Sequence, residues 1–382
     1  MTRVCVVTGS RAEYGLFRPV MQAIERSDEC ELCLVVAGMH LSHEFGDTYR
    51  EIEKDGFHAG ARVDMTFSGD SHAAMAKGIG IGIYGISQAL ESLSADTVLV
   101  LGDRTEAFAG AVSGAAMNKI VAHIHGGEVT RGGLDESMRH AITKLAHIHF
   151  VATERSRQRV LEMGELPESV VITGAPGLDS ILNQKLYNSD EQSQRLRIPL
   201  RRPRILLVQH SVSTRADGAA HEMAESLGAL ADLGHQTIVI YPNCDTGGRR
   251  VIDELHNFGG APWLHVFPNL DHTTYLSLLA GVDVLVGNSS SGIIEAPALH
   301  VPVVNIGPRQ HGRERSACIM DVPHERAAIK QAIQVALEDV AFLSRVRACS
   351  SVYGDGQASR RIVEVLEGLQ ATPRLLQKQL TY

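Results

Sequence analysis

The 382-residue sequence predicts an α/β protein built as two Rossmann-like halves. Three observations predict it. Short apolar runs rich in Val and Ile recur along the chain. Stretches of helical period separate most of them. The rhythm breaks once, over residues 185–204, and then restarts. Continuous apolar strands alternating with helices require a parallel sheet covered on both faces. With 36 Gly, 5% aromatics and one Trp, the composition also suits tight strand-to-helix turns.

In order, the first half predicts strands at Val4–Thr8, Leu32–Ala37, Thr97–Leu101, Ile120–Ile124, Ile148–Ala152 and Val170–Thr173. Each is an apolar run that stops at Gly, Asn or a polar residue. Helices are predicted at Leu16–Glu25, Ala73–Ser92, Ala107–Met117 and Asp135–Ala146. Lys185 to Arg204 is polar and charged, with Pro199 and Pro203 near its end, and reads as a linker. The second half predicts strands at Ile205–Val208, Thr237–Tyr241, Leu264–Phe267, Val284–Val286 and Val301–Asn305. Its helices fall at Ala219–Leu233, Gly248–His256, His272–Ala280, Gly292–Leu299 and Glu325–Leu337. A last helix, Ala358–Gln370, has no strand after it and is expected to brace the two halves. The expected domains are 1–185, a linker at 186–204, 205–360, and a C-terminal helix and tail at 361–382. A ligand cleft is expected between the halves, at the C-terminal ends of the strands.

Composition excludes several classes. With 44% apolar and 21% charged residues, the chain is neither disordered nor collagenous, and no apolar run approaches the ~20 residues of a membrane span. The net charge is −8 and no Lys/Arg run is long enough for a duplex footprint, so nucleic acid is not an expected partner. Cys30 and Cys33 have CxxC spacing but no second pair, so a zinc site is not expected, and Cys33, within the apolar run Leu32–Val36, reads as a buried small hydrophobe. Gly80-Ile-Gly82-Ile-Tyr-Gly85 matches a dinucleotide fingerprint by letter, but helix precedes it where the fingerprint needs a strand, so it reads as a close-packed helix. The N-terminus runs straight into a strand without a targeting pattern, which predicts a reduced, cytoplasmic protein.

The chemistry-bearing residues gather at predicted strand ends. Gly9-Ser10-Arg11 closes the first strand, where backbone N–H groups and Arg11 can meet an anion. Asp103 follows the strand at 97–101. Residues 123–140 hold three His, three carboxylates, two Arg and four Gly, more titratable groups than a structural loop needs. Among them are His125, Glu128, Asp135, Arg139 and His140. His123 and His125 form HxH, but the linker at 185–204 does not fit the barrel in which that pair holds metals, so no metal is expected. In the second half, His210, Asn243, Ser289-Ser290 and Arg309 each follow a strand, and Glu295 lies one helical turn beyond the serines, placed for ribose hydroxyls. Hydroxyls and open N–H groups at a helix start make a diphosphate cradle.

Together, SRAEYG (10–15), LGDR (101–104), HIHGGE (123–128) with DESMRHAITK (135–144), TGAPGLD (173–179), PNCDTGG (242–248), GNSSSG (287–292) and GPRQ (307–310) occur in one order. Over roughly residues 1–365 they resemble the hydrolysing UDP-N-acetylglucosamine 2-epimerases of sialic and legionaminic acid biosynthesis. The resemblance implies a GT-B fold, uridine diphosphate held mainly by the C-terminal half, no cofactor, and a dimer or tetramer. It implies anti elimination of UDP followed by syn hydration, giving a free N-acetylmannosamine-type sugar. Non-hydrolysing relatives read GDTxT and EAGLRT where this chain has GDRTE and HGGEVTRGG. Carried over, Asp103 and Asp135 are catalytic carboxylates, His210 a second-domain catalytic residue, and Arg11, Glu13, Asn243, Ser289, Ser290, Glu295 and Arg309 nucleotide-facing. Arg139 and His140 join them as substrate-binding groups. Some relatives carry a catalytic Glu where this chain has His125, so either His125 or Glu128 fills that role, with the aligned position favouring His125. The donor stays open among UDP-GlcNAc, its 4-acetamido-6-deoxy derivative and a GDP-linked analogue. A non-hydrolysing epimerase, a GT-B glycosyltransferase and a non-catalytic sugar-nucleotide-binding regulator are the competing readings.

Overall fold

The computed structural model describes the chain apart from residues 44–45, 67–71, 130–133, 184, 213–216, 243–246 and 269. The described residues divide into two units. One comprises Met1–Val129, 134–180 and Tyr353–Tyr382; the other is Ile181–Val352.

The first unit runs β1 (Thr2–Thr8), α1 (Arg11–Glu25), β2 (Cys30–Ala37), α2 (Tyr49–Lys54), β3 (Ala61–Val63), α3 (His72–Ser92), β4 (Thr97–Leu101), α4 (Thr105–Ala116), β5 (Ile120–Ile124), α5 (Asp135–Leu145), β6 (Ile148–Val151), α6 (Glu154–Glu162) and β7 (Val170–Ile172), and α7 (Gly177–Asn183) follows. Its strands pair in parallel in the order β3-β2-β1-β4-β5-β6-β7. The order reverses between β1 and β4, the switch point where open α/β sheets bind ligands. Every residue of β4 and β5 is buried, as a sheet covered on both faces demands. The GxGxxG letters lie inside α3, where a Cβ on Gly85 would fall 2.6 Å from Val63, so these glycines serve close packing.

The second unit runs α8 (Ser189–Leu196), β8 (Arg204–Val208), α9 (Ala219–Leu233), β9 (Gln236–Ile240), α10 (Gly248–Asn257), β10 (Leu264–Phe267), α11 (His272–Gly281), β11 (Val284–Gly287), α12 (Ser291–Ala298), β12 (Val303–Ile306), β13 (Ile319–Val322), α13 (Arg326–Glu338) and α14 (Val340–Arg347). The parallel order β10-β9-β8-β11-β12-β13 puts its switch point between β8 and β11.

The strands β3 and β13 and the helices α2, α6, α7 and α14 are not among the elements expected from the sequence, and two further features differ from that expectation. The stretch expected as a linker contains α8, closed by a capping box in which Asn188 and Glu191 satisfy each other's backbone N–H groups. Gln192 then ties α8 to the Ser277 carbonyl at 2.9 Å. The last helices, α15 (Ala358–Glu367) and α16 (Pro373–Leu376), belong wholly to the first unit. Ile362, Val363 and Leu366 join the core formed by Phe17, Val20, Ile24, Val4 and Val36. Asp179, the last residue of TGAPGLD, accepts the first two N–H groups of α15, from Ala358 at 3.0 Å and Ser359 at 2.6 Å. A carboxylate at a helix start meets both orphan donors and the positive end of the helix dipole. Among the described residues no helix is long and apolar enough to cross a membrane.

Candidate active site

The turn after β1 is built around two buried carboxylates. Ser10 caps α1, accepting the Glu13 N–H at 3.4 Å, and the Glu13 carboxylate reaches back to accept the Gly9 N–H at 2.6 Å. Glu13 is therefore 3% exposed and turned into the helix start, not outward toward a nucleotide as expected. Burial, reinforced by the negative charge of Glu106, pushes it up to about 8. Glu106 is buried too, and it passes so close to Gly9 and Gly38 that a Cβ on either would fall within 2.3 Å of it. Beside them His40 bridges Thr8 at 3.2 Å and Thr48 at 2.7 Å, and burial lowers it to about 4. Arg11 pairs with Glu51 on α2 at 3.0 Å.

The ends of β4 and β5 converge with α5. Arg139, buried on the inner face of α5, forms an ion pair with Asp103 and donates to the His125 carbonyl at 2.9 Å. His125 sits in the left-handed region at φ 66°, a conformation that is strained for a residue with a Cβ. Its N–H is fixed to the Phe150 carbonyl at 3.0 Å. That twist brings its ring onto Glu128, Nδ1 to Oε1 at 2.5 Å, with both side chains buried. With Glu128 ionised, its carboxylate can only accept, and Nδ1 then carries the proton and leaves Nε2 as the acceptor nitrogen of the neutral ring. The two residues offered as alternatives for one role thus form a single dyad. Gly127 makes this possible: at φ 74° its Cβ would lie 2.3 Å from the Ser156 carbonyl. Asp135 is exposed in the first turn of α5, and His140 lies 3.7 Å from Glu136. His123 is fully buried; its Nε2 donates to the Gly102 carbonyl at 2.8 Å and burial lowers it to about 3, so the HxH pair is split between two tasks. Among the described residues no group of His, Cys, Asp and Glu is arranged to hold a metal.

In the second unit, Asn288 ties three strand ends together. Fully buried after β11, its side chain accepts the His210 N–H at 2.7 Å and donates to the His210 carbonyl at 2.9 Å. Its own carbonyl receives Arg309 at 3.0 Å and Gln310 at 2.9 Å. Gly287 before it has φ 125°, and a Cβ there would strike the Val208 carbonyl at 2.1 Å. His210 is lowered to about 3 by burial and by the Arg309 charge, so it is neutral. Ser290 caps α12 without using its side chain, and the Ser289 hydroxyl accepts from the Ser291 N–H at 3.3 Å. Among the described residues Oε2 of Glu295 is buried without a hydrogen-bond partner. Burial raises the Glu295 carboxyl, and an orphaned buried oxygen is what a donor from a ligand would satisfy. Asn243 and Arg131 lie outside the described residues.

The structure therefore groups Asp103, His125, Glu128 and Arg139 in one unit, and His210, Ser289, Ser290, Glu295 and Arg309 around the strand ends of the other. Sequence reasoning passes over Glu106, His40 and Asn288. Glu106 and Asn288 lie inside quoted motifs, Asn288 directly after Gly287 at a strand end and Glu106 four residues after Gly102; His40 lies two residues after Gly38, just past the end of β2.

Comparison with known proteins agrees with this architecture. A family model described as UDP-N-acetylglucosamine 2-epimerase matches residues 22–367. A Legionella pneumophila protein named UDP-N,N'-diacetylbacillosamine 2-epimerase (hydrolyzing) is 37% identical over 380 residues, covering 100% of this chain and 99% of that protein. A Neisseria meningitidis protein named UDP-N-acetylglucosamine 2-epimerase is 35% identical over 336 residues, 88% of each chain. The solved structure of UDP-GlcNAc 2-epimerase from Neisseria meningitidis bound to UDP-GlcNAc superposes with a TM-score of 0.79 at 20% identity, covering 96% of this chain and 99% of that one, and shares the GT-B-like fold of two parallel-sheet units. By family match and full-length similarity, this chain belongs to the UDP-N-acetylglucosamine 2-epimerase family.

Proposed function

We propose that this protein is a hydrolysing 2-epimerase that acts on a UDP-linked 2-acetamido sugar and releases UDP and the free N-acetylmannosamine-type sugar. The observation that carries the reading is the buried His125–Glu128 dyad beside the Asp103–Arg139 pair at the ends of β4 and β5. The full-length similarity to a relative named as hydrolyzing supports the 4-acetamido-6-deoxy donor as first choice, with UDP-GlcNAc next.

The reaction must break the C1–O bond to the diphosphate and remove the proton from C2. No carbonyl adjoins C2, so C1–O cleavage runs ahead and leaves oxocarbenium character. Departing diphosphate charge is stabilised by preorganised donors. Arg309 and the start of α12 are assigned that work, with Glu295 accepting from ribose hydroxyls. The base at C2 is assigned to the carboxylates Asp103 and Asp135, with Arg139 orienting Asp103. The electron pair of the C2–H bond forms the C1–C2 double bond of a 2-acetamidoglucal. Water then adds its oxygen to C1 and a proton returns to C2 on the other face. His125, with Glu128 fixing its tautomer, is assigned the proton from that water, a role carried by Nε2. The place of work is proposed as the cytoplasm, where sugar nucleotides are made for nonulosonic acid synthesis.

The test is incubation in D2O with UDP-GlcNAc, its 4-acetamido-6-deoxy derivative and the GDP-linked analogue, without acceptor. Mass spectrometry should find a free sugar carrying one deuteron at C2 together with nucleoside diphosphate. A product still joined to the nucleotide makes the enzyme non-hydrolysing. No turnover without an acceptor makes it a transferase.

A further inference from the structure

The segment after α15 contributes no residue to the candidate site, yet it holds one end of the helix that does. Lys378 is the centre of this contact. Its ammonium donates to the Thr143 carbonyl at 2.9 Å, the Ala146 carbonyl at 2.5 Å and Glu165 Oε2 at 2.7 Å. An ammonium has three donors, and all three are used. Thr143 and Ala146 are the last turn and C-cap of α5, whose final carbonyls have no partner within the helix. A cation there also meets the negative end of the helix dipole.

The anchorage has further ties. Glu165 is 2% exposed and joins Lys378 to Lys144 of α5 at 2.8 Å and to His149 of β6 at 3.1 Å. Burial alone would raise this carboxyl, but the hydrogen bonds from His149, Lys144 and Lys378 hold it at about 2. Farther along, Thr381 N–H bonds the Gly164 carbonyl at 3.0 Å, and the Tyr382 ring fills the space over Gly164, where a Cβ would fall 2.2 Å from it. Lys144 lies over the same ring.

We propose that Lys378 is a positioning residue for the epimerisation site: by clasping the C-terminal turn of α5, it sets the axial position of Arg139, one turn before Thr143, and of Asp135 at the helix's other end. The inference rests on the reading of α5 as the helix that carries catalytic groups. At 1.5 Å per residue the 11-residue helix spans about 16 Å and moves as one body. Arg139 bonds both Asp103 and the His125 carbonyl, so a slide of α5 disturbs both partners at once. A misplacement of about 1 Å at a catalytic group can lower turnover ~10²-fold.

The experiment compares full-length Lys378→Met, Lys378→Arg, Arg374→Ala and Asp135→Asn. It measures UDP release from UDP-N,N'-diacetylbacillosamine and UDP-GlcNAc, and hydrogen exchange of the α5 amides. Lys378→Met should lower kcat about 5–50-fold with KM changed less than twofold, and should speed α5 exchange about tenfold or more. Lys378→Arg should recover at least about half of the lost kcat, a rescue that a loss of bulk packing would not give. Arg374→Ala, exposed on the same segment, should match the parent in both readouts. A folded Lys378→Met protein with parent-like kcat and exchange overturns the proposal. Should that variant not fold, Tyr382→Ala loosens the same segment and must move kcat and exchange in the same direction, or the proposal is wrong. Parent-like turnover in Asp135→Asn would instead unseat the catalytic reading of α5, and exchange in the Lys378 variants would still decide the clasp.

Discussion

At the scale of single residues, the most consequential feature is the left-handed backbone at His125. Such a conformation costs roughly 1–3 kcal/mol in a residue with a Cβ. It is held by two bonds to its backbone, His125 N–H to the Phe150 carbonyl and the Arg139 side chain to the His125 carbonyl. The return is the ring's approach to Glu128, which neither a straight strand nor the local sequence would produce. Because the two act as one dyad, His125→Gln and Glu128→Gln should each lower kcat about 10²–10⁴-fold. The double variant should fall scarcely further than the worse single one, since residues in one hydrogen-bonded unit are not additive. Steady-state kinetics on the three variants checks this. Fully multiplicative losses would mean that the two side chains work separately.

At the scale of elements, helix ends decide placement. α15 returns to the first unit and is received by Asp179, whose carboxylate takes both of its first N–H groups. The helix's own N-cap, Gln357, makes no side-chain cap bond, so nothing local replaces Asp179. Asp179→Ala should therefore lower unfolding free energy by about 1–2 kcal/mol, the upper range for a lost cap. Urea denaturation at neutral pH measures it, and a change below about 0.3 kcal/mol would show that the capping bonds are dispensable. The same logic explains why Pro-rich polarity at 185–204 does not yield a plain linker. Asn188 and Glu191 supply a complete capping box, and a box followed by an apolar contact is enough to start a helix.

At the scale of the whole molecule, buried histidines set the acid limit. His40 is lowered to about 4, and His123 and His210 to about 3, each by burial; His147 and His149 move the same way. The unfolded chain takes up these protons as pH falls below the ordinary value of about 6.5, while the folded chain does not. Their contribution is complete above that value and is lost as pH falls toward the folded values. Glu13, raised to about 8, and Glu295, also raised, act in the opposite sense: their contribution is complete below about 4.5 and is lost as pH rises, for Glu13 through 8. Five histidines outweigh two carboxyls in the acid range, so the denaturation midpoint should peak between about pH 6 and 7 and drop by pH 5. A midpoint that is level from pH 5 to 7 would contradict the buried, neutral state of these rings.

The sequence by itself determined the strands other than β3 and β13, most helices, the absence of a dinucleotide loop in Gly80–Gly85, and the dense group at 123–140, because each is written within about ten neighbouring residues as a period, a cap or a breaker. It also carried the family, through motifs at strand ends. It could not show which way a carboxylate turns. Glu13 faces inward because the Gly9 N–H receives it, and Glu106, whose charge opposes that of Glu13, fits against Gly38, which lies 68 positions away. Asn288 gains its importance only when β8 and β11 lie side by side. His125 and Glu128 look like rivals in a linear reading, and one left-handed residue makes them partners. Lys378 lies 235 positions from the carbonyl of Thr143 that it caps. Helix and strand formation answer to local backbone and side-chain preferences. The direction of a buried polar group answers to whichever distant partner satisfies it, and only the folded chain brings that partner near.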